Sequence, residues 1–231
     1  MKKIISTLIA FLLTFQLTSI SVLANEKENK NTSKVIAIID GIEITEKDID
    51  ENGLINNSIF SDPNRKRVND NNIDTIQPKS RYSIPSTLYV KKGQNALMIK
   101  KLGAPRFNQQ TDTYFLTPSS AKSFAYKLTS SSNLSIVVNS ILSIALWAIK
   151  TIPAWTYFTI SQILTGIKMN SLQSSIFNIA NKEKSVEVRI IKTNLNYRPI
   201  YYVNTWDGTT VKTNLTNSGS AREKVHFYKT N

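Results

Sequence analysis

The chain has 231 residues, 29 lysines and arginines against 16 acidic residues, and no cysteine. Disulfides, thiolate nucleophiles and cysteine-based zinc sites are therefore excluded, and a formal net charge of +13 points toward an anionic partner. The length suits one domain, or one domain with an appendage.

Residues 1–24 open with Lys2 and Lys3, run uncharged from Ile4 to Leu23 and close on Val22-Leu23-Ala24. A basic start, an apolar middle and small residues before the break describe a secretory signal peptide cut after Ala24. Export without disulfides fits a bacterium, and the Lys/Asn/Ile-rich composition a Gram-positive one. The expected location is extracellular, either free or membrane-associated.

Charge divides the remainder unevenly. Residues 25–74 hold eleven acids and seven bases, whereas residues 75–231 hold five acids and twenty bases. We read residues 25–79 as an acidic, largely flexible segment or pro-region, with a disordered start, and residues 80–231 as a basic domain. Within the acidic part, Val35–Ile39 and a second short strand ending near Thr45 flank an Asp40-Gly41 turn. The stretch KVIAIIDGIEITEKDID resembles the opening segment of secreted parvulin-type chaperones. It includes nothing that catalyses isomerisation, so no function is carried over.

Asp48, Asp50 and Asn52 occupy positions one, three and five of an EF-hand-like loop, with Gly53 at six. Alternating oxygens and a turn glycine are what calcium needs, yet position twelve is Ile59 in place of a bidentate glutamate. Calcium binding there would be weak, about millimolar; the alternative is an Asx-rich turn. No other cofactor is expected. Residues 56–81 read as a linker, and Arg65-Lys66-Arg67 within it as a processing site for extracellular proteases.

Next come a predicted hairpin, TLYV and ALMIKKL around Gly93, and a strand in TDTYFL. A helix is expected to start at Pro118, capped by Thr117. Helices then occupy about residues 118–180. Lys127 and Lys150 bracket twenty-two uncharged residues, and seventeen more precede Lys168. At 100° per residue, Ser135, Asn139 and Ser143 fall on one stripe with Ser140, opposite an apolar side. Trp147, Lys150, Trp155, Tyr157 and Phe158 cluster around the break at Pro153, as residues at a membrane–water interface do. Two readings stay open: a membrane-active helical hairpin, or two buried helices of a soluble core.

SVEVRIIK and EKVHFYK alternate as strands, and a C-terminal β-hairpin is expected around Asp207-Gly208, a pair preferred in type I′ turns. Enzymatic equipment is thin, so no enzyme is expected. His226 is the single histidine, and Ser119 with Lys122 lacks the partner motifs of serine–lysine nucleophiles. Arg189, Lys192, Tyr197, Arg198, Tyr201, Trp206 and Lys212 interleave cations with aromatics as a nucleic-acid stacking platform would. Export argues against that partner, so no nucleic acid is expected.

The fold class is therefore α+β, with β-hairpins flanking a central apolar helical hairpin. Over residues 118–231 the order of Ser/Ala/Ile-rich helices before Tyr-rich strands resembles large secreted bacteriocins of bacilli, the geobacillin-like kind. That resemblance implies a cationic, membrane-active antibacterial protein acting on anionic bacterial membranes and self-associating within them. The alternative is a secreted envelope-binding module. The expected partner is anionic lipid or a cell-envelope polymer.

Overall fold

The computed structural model describes residues 33–65, 85–104, 107–145, 154–195, 198–213 and 222–230. The signal-peptide reading, Lys66, Arg67, Trp147, Lys150, Pro153 and Tyr197 lie outside them. The elements below belong to one compact unit, Lys34–Asn231, and the fold is α+β.

The first hairpin pairs β1 (Val35–Ile39) with β2 (Ile42–Thr45). Asp40 (φ 51°) and Gly41 (φ 77°) both take positive φ, the geometry of a type I′ turn, which favours Asp-Gly. After two short 3₁₀ turns come β3 (Thr87–Tyr89), β4 (Ala96–Ala104) and β5 (Phe107–Leu116). Four helices follow: α1 (Pro118–Leu128), α2 (Leu134–Ala145), α3 (Ala154–Leu164) and α4 (Met169–Ala180). Strands β6 (Val186–Thr193), β7 (Ile200–Thr205), β8 (Thr210–Lys212) and β9 (Arg222–Lys229) complete the order.

A five-stranded antiparallel sheet, ordered β7-β6-β5-β4-β9, is the centre of the molecule. Strand alternation sends Leu97, Ile99, Tyr114, Leu116, Val188 and Ile190 to one face, where they meet the helices in the main core. Thr117 caps α1 through its hydroxyl, which accepts from Ser120 N at 3.4 Å, and Pro118 needs no donor at that first position. Helix α1 buries Ala121, Phe124, Ala125 and Leu128; α4 buries Leu172, Ile176 and Ala180.

The described parts of the apolar block belong to this core. Val137, Val138, Ile141 and Leu142 of α2 and Ile160, Ile163 and Leu164 of α3 are buried against the sheet and the other helices. Ser135, Asn139 and Ser143 are exposed, so the polar stripe faces out. No helix among the described residues is long and apolar enough to cross a membrane.

The opposite sheet face is covered by two small β units. The β1–β2 hairpin lays Ile36, Ile39, Ile42 and Ile44 on Ile191, Ile200 and Tyr202. The β3–β8 ribbon joins Val90 and Val211 to Met98, Phe115 and Trp206. Strand β6 is thus buried or half-buried at every position, including those of its charged residues.

Three expectations are corrected here. Neither TLYV nor the segment after Asp207-Gly208 pairs with its neighbour in sequence: β3 pairs with β8, β4 lies between β5 and β9, and β7 pairs with β6. Buried Trp206 explains the second case. Its backbone N–H donates to Ser185 O at 2.8 Å and its Nε1 to Thr210 O at 2.7 Å, while its ring packs on Phe115 at 5.4 Å. These contacts turn the chain out of the sheet before a hairpin can close. Gly208 has φ 87°, but Asp207 does not share it; its carboxylate instead accepts from Thr209 N and Thr210 N, each at 2.7 Å.

The third correction concerns the acidic segment, expected to be largely flexible over residues 25–79. Residues 34–65 are folded onto the sheet because their isoleucines have an apolar face to cover. Gly53 O accepts from Tyr201 N at 2.8 Å and Ile55 N donates to Tyr201 O at 2.9 Å, so this segment also covers part of the β7 edge. Gly53 has φ 86°, and a Cβ there would stand 3.2 Å from Pro199 O; only glycine fits that approach. Ile59 and Phe60, placed in the expected linker, are anchored too, with Phe60 edge-on to Tyr202 at 4.8 Å.

Candidate anion-binding cleft

On the helix-covered face the apolar pattern of two strands gives way to lysine at one end. Lys101 keeps the phase of Leu97 and Ile99, and Lys192 that of Val188 and Ile190. Lys224 stands opposite Lys101 on β9, Gln110 opposite Lys101 on β5, and Lys192 opposite Gln110 on β6. Register therefore places Lys224, Lys101, Gln110 and Lys192 in one row across four strands.

This row borders a cleft of about 540 Å³ between the sheet end and α3. Asn108, Thr159, Gln162 and Asn194 line other parts of its wall, and no carboxylate is among the described residues that line it. Lys192 Nζ donates to Gln162 O at 3.0 Å, in the last turn of α3 where carbonyls carry partial negative charge.

Asp112 lies next to this row. Burial pushes its carboxyl up from 3.8 to about 7, against the lowering influence of a hydrogen bond from Gln110 (2.9 Å) and the charge of Lys101. His226, opposite Ile99, is shifted down, first by burial and then by the positive charges of Lys101 and Lys224. Both groups register the cationic field of the cleft. Such an arrangement makes the cleft a candidate site for anions. Lys122, the other half of the Ser-x-x-Lys pair, is ion-paired with Glu183, away from any such role.

A second charged cluster lies on the opposite face. Arg189 donates from Nη1 to Asp40 Oδ2 at 2.6 Å and from Nε to Glu187 Oε1 at 2.5 Å, and its guanidinium sits 5.6 Å from the Tyr202 ring centre. Burial pulls the Arg189 pKa down, but Glu187 and Asp40 more than reverse this. Lys100 lies 3.5 Å from Glu223 and 3.9 Å from Asp40, and donates to Thr213 O at 3.0 Å. This cluster is internally paired and joins the two small β units to the sheet.

The residues singled out in sequence do not converge on one site. Asp48 Oδ2 accepts from Thr45 N and Oγ1, both at 2.7 Å, and its other oxygen is paired with Arg65. Asp50 Oδ1 accepts from Asn52 N and Leu54 N at 2.8 Å, and Asn52 Oδ1 takes Lys168 Nζ at 3.1 Å. Protein donors engage these oxygens, so the donor set does not fit a calcium loop; the segment is an Asx turn beside an ion pair. No group of three His, Cys, Asp or Glu suited to a metal occurs among the described residues.

Arg65, the first residue of the expected processing site, is half-buried in its pair with Asp48. Trp155, Tyr157 and Phe158 belong to α3. The aromatics of the expected stacking platform are dispersed: Tyr201 is buried under the helices and Trp206 on the other face. Lys101 and Lys224 were not singled out. For Lys101 the signal was a lysine continuing in phase the apolar face of Leu97 and Ile99; Lys224 joins it through register with β9.

The fold is that of a cationic α+β protein with a lysine-bordered cleft at the end of its sheet. No family model matches the chain, and no curated protein or solved structure matches it.

Proposed function

We propose that this chain is an exported, non-enzymatic module that binds an anionic polymer of the bacterial cell envelope. The observation that carries this reading is the row Lys224, Lys101, Gln110, Lys192 bordering a cleft with no carboxylate among its described lining residues. The strong basic excess of residues 75–231 would draw it to such a surface, and the cleft would make the contact specific.

Burial of the apolar block favours this over the inserting, bacteriocin-like reading. Seven side chains of α2 and α3 sit in the main core. Each fully buried aliphatic side chain contributes about 2 kcal/mol. Withdrawing both helices into a bilayer would also uncover their partners on the sheet, a loss comparable with the roughly 5–15 kcal/mol that holds a domain together.

The test compares sedimentation of the protein with purified cell walls before and after chemical removal of their anionic polymers, alongside dye release from anionic vesicles. Binding to intact walls only, reduced by moderate salt and by Lys101→Gln with Lys192→Gln, is expected, with vesicles left intact. Dye release at protein levels that bind walls would replace this reading with the inserting one.

A further inference from the structure

We propose that the lysine row takes two phosphate groups joined by a short hydroxylated spacer, as in a polyol-phosphate polymer. This rests on the cleft being the binding site for the envelope polymer.

Spacing is the first argument. Lys101 and Lys224 stand directly opposite on neighbouring antiparallel strands, so an anion between them meets both charges. Lys192 lies two strands from Lys101, with Gln110 between. Strands are about 4.8 Å apart, so Lys192 is roughly 10 Å from Lys101 along the row. The row thus offers two cationic positions separated by an amide, rather than one concentrated charge.

The wall chemistry is the second argument. Between and around the lysines are the amides Gln110, Gln162 and Asn194, groups that suit hydroxyls. The carboxyl of Asp112, hydrogen-bonded to Gln110, is held near pH 7 by burial, so at neutral pH it offsets the lysines only in part. The row and the cleft it borders are therefore the place where a phosphate chain is read.

Calorimetric titration of the protein with a glycerol-phosphate oligomer tests this, beside single glycerol phosphate, dextran sulfate of matched charge, a single-stranded oligonucleotide and phosphatidylglycerol vesicles. The oligomer is expected to bind about tenfold more tightly than each of the others, as a second charge-assisted contact predicts. Lys192→Gln should erase that advantage, Lys192→Arg should keep most of it, and Lys91→Gln, in a turn away from the cleft, should leave it unchanged. Equal binding of the sulfate polymer and the oligomer overturns the phosphate assignment while leaving anion binding in place. Tighter binding of the oligonucleotide, or binding of vesicles alone, overturns it in favour of those partners. No binding of any probe overturns both this inference and the envelope-binding reading.

Discussion

Asp40 and Arg189, 149 positions apart, are joined by a 2.6 Å charge-assisted hydrogen bond that pins the turn of the first hairpin to the central sheet. One partner belongs to the acidic part of the sequence and the other to the basic part. The charge division along the chain is thus partly neutralised inside the fold, at a site where Lys100 also approaches Asp40.

Removing one member of this pair should be more damaging than its half-exposed loop position suggests. Asp40→Ala leaves Arg189 buried with Glu187 as its remaining close partner, and a loss of about 3 kcal/mol is expected in urea denaturation. Adding Arg189→Met should recover part of it, because an apolar side chain then replaces the under-compensated charge. A double variant no more stable than Asp40→Ala would show that the loss comes from the turn itself.

Cleavage at the basic triplet should not release the acidic segment. The isoleucines of residues 34–65 cover the sheet, and Arg65 is held by Asp48. After limited trypsin digestion the fragment should co-elute with the remainder in native size-exclusion chromatography and separate only in denaturant. Native separation would restore the pro-region as a removable mask.

Asp112 should make stability fall as pH rises. Its folded-state pKa lies above its unfolded value, so between about 4 and 7 the native state holds more protons than the unfolded chain. The destabilisation is absent below the unfolded pKa and complete above the folded one. Moving a carboxyl from 3.8 to about 7 corresponds to a penalty on the order of 4 kcal/mol at pH 8. Asp112→Asn should therefore raise the melting temperature at pH 8 and change it little at pH 4. An equal change at both values would mean that packing, not ionisation, sets the effect.

Because the chain has no cysteine, single replacements report accessibility cleanly. Cysteine at Ser135, Asn139 or Ser143 should react with a hydrophilic maleimide at nearly the rate of the unfolded chain. Cysteine at Val138 or Ile141, fully buried, should react far more slowly. The same pattern should persist with anionic vesicles present; protection of the Ser135 stripe on adding vesicles would indicate that α2 docks on or enters lipid.

What the sequence determined alone was local and electrostatic. Alternation marked Val35–Ile39, Val186–Thr193 and the strand containing His226; Thr117-Pro118 marked the start of α1; a 100° period separated Ser135, Asn139 and Ser143 from the buried side of α2. Each of these follows from interactions within a few residues. Strand partnership does not. Both predicted hairpins at Gly93 and Asp207-Gly208 had suitable turn residues, but β3 and β8 found each other across more than a hundred positions because Trp206 and Met98 needed a cover. The cleft was hidden for the same reason. Lys101, Lys192 and Lys224 are scattered in sequence, and only the register of four antiparallel strands, chosen to bury the apolar residues beside them, brings their charges into one row.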